Sequence, residues 1–183
     1  MTGSTSAPPV GFDWDAPRFP SVEACMAIYC NTQWLTDLIS GSPAKFPLGE
    51  DEIIELAQRR RFIFKFRSIF HLALIRRLNR AFSIHQAREL SRVCVDSDHL
   101  FPDDMAPDGR RRFLVIAPVR RESNDMVSKM FVLEEGEPDL TVKDLASVGD
   151  DPRELRFVLN VTEVFDQVVE GLDVLEVAGE LIG

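Results

Sequence analysis

The sequence predicts a mainly α-helical fold, in which one helical domain carries a small β-hairpin and follows a flexible arm. An α+β arrangement is the alternative. Two observations support the helices: no Gly or Pro occurs between Gly49 and Pro102, and apolar residues recur at three- and four-residue steps. Two short β-rich runs in residues 113–119 and 129–134 support the hairpin. A chain of 183 residues with 45% hydrophobic residues favours one compact domain.

The first twenty residues are expected to form a disordered, proline-rich arm. Pro8, Pro9, Pro17 and Pro20 lie among small polar residues, and proline prevents regular backbone pairing. We therefore place the folded domain at residues 21–183.

Residues 21–40 are predicted to form the first helix, with Ser21 as its N-cap and Gly41 as its stop. On such a helix Cys25 and Cys30 lie about 140° apart, so this pair is not expected to hold a metal ion. The helix carries one apolar stripe: Val22, Met26, Tyr29, Cys30, Trp34 and Leu38.

Two helices are predicted in residues 50–82 and 83–95, and Ser83 with Gln86 marks the start of the second one by a capping box. The middle of the first helix is apolar nearly all round, which is typical of a buried central helix or a subunit interface. Phe62, Phe64 and Phe66 also alternate with other residues, so a strand at 62–66 is the rival interpretation.

The second half of the chain begins with a loop at residues 99–109, which holds two prolines and three aspartates. The two β-rich runs then predict an antiparallel pair, and residues 141–148 predict a short helix that ends at Gly149. Asp151 and Pro152 are expected to start a final long helix with two apolar faces in residues 155–172. Asp173 starts a last short helix.

The sequence contains no motif that names a reaction. The three cysteines are too few for a disulfide scaffold, no secretory signal is visible, and no window is apolar enough to span a membrane. We therefore expect a soluble, cytoplasmic, non-catalytic protein without a cofactor or metal. Two alternatives are a zinc site from Cys94, Asp96, Asp98, His99 and His85, and catalysis through Cys94 with His99.

The net charge of −9 is distributed unevenly along the chain. Residues 59–80 carry eight basic and no acidic side chains, whereas residues 134–183 carry three basic and fourteen acidic ones. We expect a protein interaction or regulatory module that binds another protein, or a second copy of itself, through apolar helix faces and the acidic carboxyl-terminal surface. The expected contact residues are Phe157, Val161, Val164, Phe165 and Val168.

The alternative function is a nucleic-acid-binding regulator. Clustered arginines can neutralise backbone phosphates, although an acidic protein repels nucleic acid at long range. The residues that would contact phosphate are Arg59, Arg60, Arg61, Lys65, Arg76, Arg77, Arg80, Arg110, Arg111 and Arg112.

Overall fold

The structure is a computed structural model that describes residues 16, 18–40, 53–56, 59–95, 110–119, 125–134, 136–149 and 156–172. Within these residues it contains six α-helices and two three-stranded antiparallel sheets. The protein is therefore α+β, and the prediction of a mainly α fold is wrong. Two segments that were predicted to be helical form strands, because each finds a neighbouring strand to pair with.

The chain divides into two compact units, Met1–Ser91 with Val164–Gly183, and Arg92–Glu163. The single domain at 21–183 stays a prediction. Most of the predicted arm lies outside the described residues, as do the predicted loop at 99–109 and the predicted last helix. The final two residues of the arm segment form a short strand, and Phe19 there is buried.

The first sheet contains β1 (Phe19–Pro20), β2 (Ile53–Leu56) and β3 (Arg59–Phe64) in the order β1-β3-β2. The central strand β3 pairs with both neighbours, for example Phe64 with Phe19. The predicted helix at 50–82 is therefore wrong in its first part, and the rival strand interpretation is confirmed up to Phe64. The alternation of side chains in β3 was the correct signal, since period two is the spacing of a strand.

The predicted helix at 21–40 is two helices, α1 (Ser21–Ala27) and α2 (Thr32–Ser40). They separate at Tyr29, whose φ of 52° lies in the left-handed region. Asn31 then caps α2, because its side-chain oxygen accepts a hydrogen bond from the Trp34 N–H at 2.7 Å. The sequence signal for this second helix start was Asn31 followed by Thr32.

The early end of α1 brings two cysteines together. The Cys30 N–H donates to the Cys25 carbonyl oxygen at 2.9 Å, and the two thiol groups interact. Burial, followed by the hydrogen bond to Cys25, raises the pKa of Cys30 to about 12. The predicted separation of about 140° is wrong because it assumed one unbroken helix.

The centre of the first unit is α3 (Phe66–Leu78), which is buried on most of its circumference. This confirms a buried central helix. The helix α6 (Val161–Leu172) packs on α3 through Phe165, whose ring centroid lies 5.3 Å from that of Phe66 and 5.8 Å from that of Phe70. A Cβ added at Gly171 of α6 would lie 2.6 Å from the Ala27 Cα, so glycine is required for this close approach to α1.

The predicted helix at 83–95 is confirmed as α4 (Ile84–Val95). The Ser83 N–H donates to the Gln86 side-chain oxygen at 3.2 Å, and the Gln86 N–H donates to the Ser83 hydroxyl oxygen at 3.3 Å. These reciprocal bonds are the capping box that the sequence predicted.

The second unit contains β4 (Arg111–Pro118), β5 (Met126–Leu133), the short helix α5 (Val142–Ala146) and β6 (Phe157–Asn160). The sheet order is β5-β4-β6, and every pair is antiparallel. The predicted hairpin and the predicted short helix are both confirmed.

The predicted long final helix is wrong at its start. Residues 157–160 are extended as β6 because they pair with β4, and α6 begins only at Val161. Asn160 caps α6 by accepting the Glu163 N–H at 3.2 Å. The predicted cap residues Asp151 and Pro152 lie outside the described residues.

Candidate functional site

The five residues predicted to contact a partner lie on β6 and α6. Phe157 is partly buried, whereas Val161, Val164, Phe165 and Val168 are each less than 5% exposed. Their side chains therefore pack inside this chain. A role for them in contacting a partner stays a prediction.

The arginines of the second unit contact other groups of the same chain. Arg110 contacts Glu134 at 3.0 Å, and Arg111 contacts Asp139 at 2.5 Å. Arg112 is 2% exposed, and its Nη1 donates to the Arg110 carbonyl oxygen at 3.4 Å.

The predicted phosphate-contact residues of the first unit fall into three sets. Arg59, Arg60 and Arg61 lie in β3, and their side chains are outside the described part of the chain. Lys65 is partly buried at the N-cap of α3. The remaining three predicted residues, Arg76, Arg77 and Arg80, come together at the carboxyl end of α3.

These three arginines line one cleft, which we call the arginine cleft. It encloses about 290 Å³, a volume at the low end of the roughly 300–1,000 Å³ that is typical of small-molecule pockets. Its walls come from the end of α1, from α3 and the turn after it, and from α6. The lining residues are Ile28, Tyr29, Ala73, Arg76, Arg77, Arg80, Val164 and Gln167.

Two of the arginines are held in place by neutral groups. Arg76 donates to the Tyr29 carbonyl oxygen, and its guanidinium lies 5.5 Å from the centroid of the Trp34 ring. Arg77 donates to the side-chain oxygen of Gln167. The first contact connects α3 to the left-handed turn at Tyr29, and the second connects α3 to α6.

Arg80 differs from the other two because it is exposed in the turn after α3. Among the described residues, its guanidinium has no hydrogen-bond or ion-pair partner, and no carboxylate there pairs with Arg76 or Arg77 either. The carboxyl end of α3 carries a partial charge of about −0.5, which offsets only part of three positive charges. The arginine cleft is therefore suited to an anion.

An exposed apolar row lies beside the arginine cleft. Val22 and Met26 are one turn apart on α1 and are 61% and 65% exposed, and Tyr29, which follows the helix, is 70% exposed. We call these three residues the exposed stripe. Tyr29 belongs to both features, because it also lines the cleft.

The spacing of these three residues in the sequence predicts a stripe but not which way it faces. The side of α1 that faces the protein carries small residues instead, namely Ala24, Cys25 and Ala27. Small side chains allow the close approach of Gly171 on α6, so the larger residues face outward. The contributions of Tyr29 and Gln167 to the cleft were not predicted, since both depend on the tertiary fold.

A histidine and a serine approach each other in the first unit, but their arrangement is structural. The His71 Nε2 lies 2.8 Å from the Ser91 Oγ, which in turn donates to the Arg88 carbonyl oxygen at 2.8 Å. Ser91 is fully buried, so a substrate has no access to its hydroxyl group. Nucleophilic catalysis needs an accessible nucleophile with a base beside it.

The described part of the chain contains neither the alternative zinc site nor an accessible Cys94 thiol for catalysis. Cys94 is fully buried, and burial raises the pKa of its thiol to about 12, which disfavours the reactive thiolate. His85 is exposed and pairs with Glu89 at 3.3 Å. Asp96, Asp98 and His99 lie outside the described residues, and no group of three metal-ligating side chains occurs within them.

No protein-family model matches the chain, and no curated protein matches it in sequence. Among the described helices, none is long and apolar enough to cross a bilayer.

Proposed function

We propose that this protein is a non-catalytic interaction module that binds a segment of a partner protein through the exposed stripe. The observation that carries the proposal is the solvent exposure of Val22, Met26 and Tyr29 next to the arginine cleft. The acidic carboxyl-terminal surface and a cytoplasmic location, both expected from the sequence, remain parts of the proposal.

The chemistry of the exposed stripe supports binding. Fully burying a valine or methionine side chain contributes roughly 1.5–3 kcal/mol, and tyrosine and arginine are enriched among the residues that dominate interface energies. Tyr29 and the arginines of the cleft place both residue types together. Apolar anchors beside a charged rim are the usual anatomy of a protein interface.

The test compares charge substitutions on the exposed stripe with a charge substitution at an exposed apolar residue elsewhere, all in the full chain. A double variant, Val22→Asp with Met26→Asp, places charges on the exposed stripe. The control is Val142→Asp, because Val142 on α5 is 84% exposed and lies outside the stripe. A photo-crosslinking benzoylphenylalanine at position 26 identifies the protein and the segment that contact the stripe in native lysate.

We expect one defined protein to crosslink through one segment. The wild type and the control should retain this protein, and the double variant should lose it. Circular dichroism of each variant establishes that the loss is not unfolding. Equal retention by all three proteins, crosslinks scattered over unrelated proteins, or crosslinks to nucleic acid would overturn the proposal. The last outcome would favour the nucleic-acid alternative.

A further inference from the structure

The arginine cleft has a charge that its described surroundings do not balance. Three guanidinium groups line it, and the groups that hold Arg76 and Arg77 are neutral: a carbonyl oxygen, an aromatic ring and an amide oxygen. The chain as a whole carries a net charge of −9. In an acidic protein, a cleft that keeps three positive charges together is matched to a negatively charged ligand.

We propose that the arginine cleft binds side-chain carboxylates of the same partner segment whose apolar residues lie on the exposed stripe, an inference that rests on the proposed function. Tyr29 connects the two features, since its ring is exposed with the stripe while the residue lines the cleft. The partner segment is therefore acidic and apolar, with Asp or Glu close to large apolar residues.

The arrangement of the arginines fits a carboxylate. Arg76 and Arg77 are oriented before binding by their contacts with Tyr29 and Gln167, so little conformational entropy is lost when an anion binds. Arg80 keeps its donors available among the described residues. A guanidinium binds a carboxylate through two parallel hydrogen bonds, which are stronger than bonds between neutral groups.

Two observations favour a carboxylate over the phosphates of a nucleic acid. Five of the eight lining residues are uncharged, and Ile28, Ala73 and Val164 among them are apolar, whereas a nucleic-acid groove presents a continuous basic track. The net charge of −9 also repels a polyanion at a distance. A short peptide that combines apolar and acidic residues fits this lining, and its few negative charges are repelled less than those of a nucleic acid.

The experiment titrates the full chain, labelled with nitrogen-15, with an acetylated and amidated peptide of sequence Leu-Glu-Glu-Leu-Leu-Glu-Glu-Leu. Its twin carries Gln in place of each Glu. We expect amide shifts at Tyr29, Arg76, Arg77, Arg80 and Gln167, and an affinity at least about fivefold weaker for the twin, since charged hydrogen bonds are the stronger ones.

The variant Arg80→Glu reverses one charge of the cleft without removing an internal contact, and Arg80→Gln is the milder version. The matched control is Arg92→Glu, an exposed arginine near the end of α4 and outside the cleft. We expect Arg80→Glu to weaken peptide binding about tenfold, Arg80→Gln to weaken it less, and Arg92→Glu to leave it unchanged.

Several outcomes would overturn the carboxylate site: no shifts at the cleft, equal affinity for the peptide and its twin, equal effects of Arg80→Glu and Arg92→Glu, or displacement of the peptide by a short oligothymidylate. The crosslinking experiment separates this failure from failure of the proposed function. If Arg80→Glu retains the crosslinked partner as well as the wild type does, the stripe binds a protein without using the cleft. If the crosslink fails while the peptide shifts the cleft signals, the anion site stands and the proposed function is wrong.

Discussion

At the scale of single residues, Tyr29 determines how α1 ends. Its φ of 52° is a left-handed conformation, which costs a residue with a side chain roughly 1–2 kcal/mol relative to glycine. Arg76 donates to the carbonyl oxygen of this residue and holds the turn. A strained residue that is 70% exposed contributes little packing, which agrees with the proposal that its side chain contacts a partner.

Stability and binding are expected to separate at position 29. The free energy of unfolding of Tyr29→Gly should be about 1 kcal/mol higher than that of Tyr29→Ala, because glycine adopts positive φ without the steric cost. Urea denaturation of both variants measures this difference. Both variants should lose the crosslinked partner. If the alanine variant is the more stable of the two, the left-handed conformation is not retained in solution.

Cys94 is predicted to make stability depend on alkaline pH. Burial raises its pKa from 9.0 to about 12 in the folded protein, so between these values the unfolded chain releases a proton that the folded chain keeps. Stability therefore falls as pH rises above about 9, by up to roughly 1.4 kcal/mol per pH unit. The measurement is urea unfolding of the wild type and of Cys94→Ala, from about pH 8 to about pH 10.5.

Cys94→Ala lacks the titrating thiol, so the stability advantage of the wild type should shrink with rising pH across that range. A constant difference between the two proteins would mean that the Cys94 thiol titrates alike in the folded and unfolded states.

At the scale of elements, α6 packs against α3 through Phe165, one of the residues that the sequence predicted as a partner contact. Phe165 is 4% exposed and packs edge-on against Phe66 and Phe70. Replacing a buried phenylalanine with alanine typically costs about 3–5 kcal/mol. We expect Phe165→Ala to lower the free energy of unfolding by that amount in urea denaturation.

The control on the same helix is Glu170→Ala, an exposed position that should change stability by less than about 0.5 kcal/mol. If Phe165→Ala leaves stability unchanged and abolishes partner binding, Phe165 acts as the surface contact that the sequence predicted.

Element ends were the most predictable part of the fold where the cap is local. The capping box of Ser83 and Gln86 is visible in the sequence because both of its hydrogen bonds join residues three positions apart. The start of α6 was misplaced because the four residues before it, Phe157–Asn160, are extended by pairing with β4, and that strand is far away in sequence. Apolar periodicity predicts which residues share a face, but a distant partner decides between helix and strand.

At the scale of the whole molecule, charge predicts the state of association. A net charge of −9 disfavours the approach of a second copy, and the proposed occupant of the exposed stripe is another protein. We expect light scattering after size exclusion to give the monomer mass of 20.7 kDa at micromolar concentration. A dimer that Val22→Asp with Met26→Asp disperses would mean that a second copy covers the stripe.

The sequence by itself determined the local features of this protein: the hairpin of β4 and β5, the cap of α4, the spacing of Val22, Met26 and Tyr29, and the concentration of arginines after residue 58. Tertiary structure alone decided which face of α1 is exposed, which three arginines share a cleft, and which arginines are used internally. The physical reason is how far apart in the sequence the interacting residues lie. Caps and turns are set by hydrogen bonds between residues a few positions apart, whereas burial and the meeting of charges depend on segments that only the folded chain brings together.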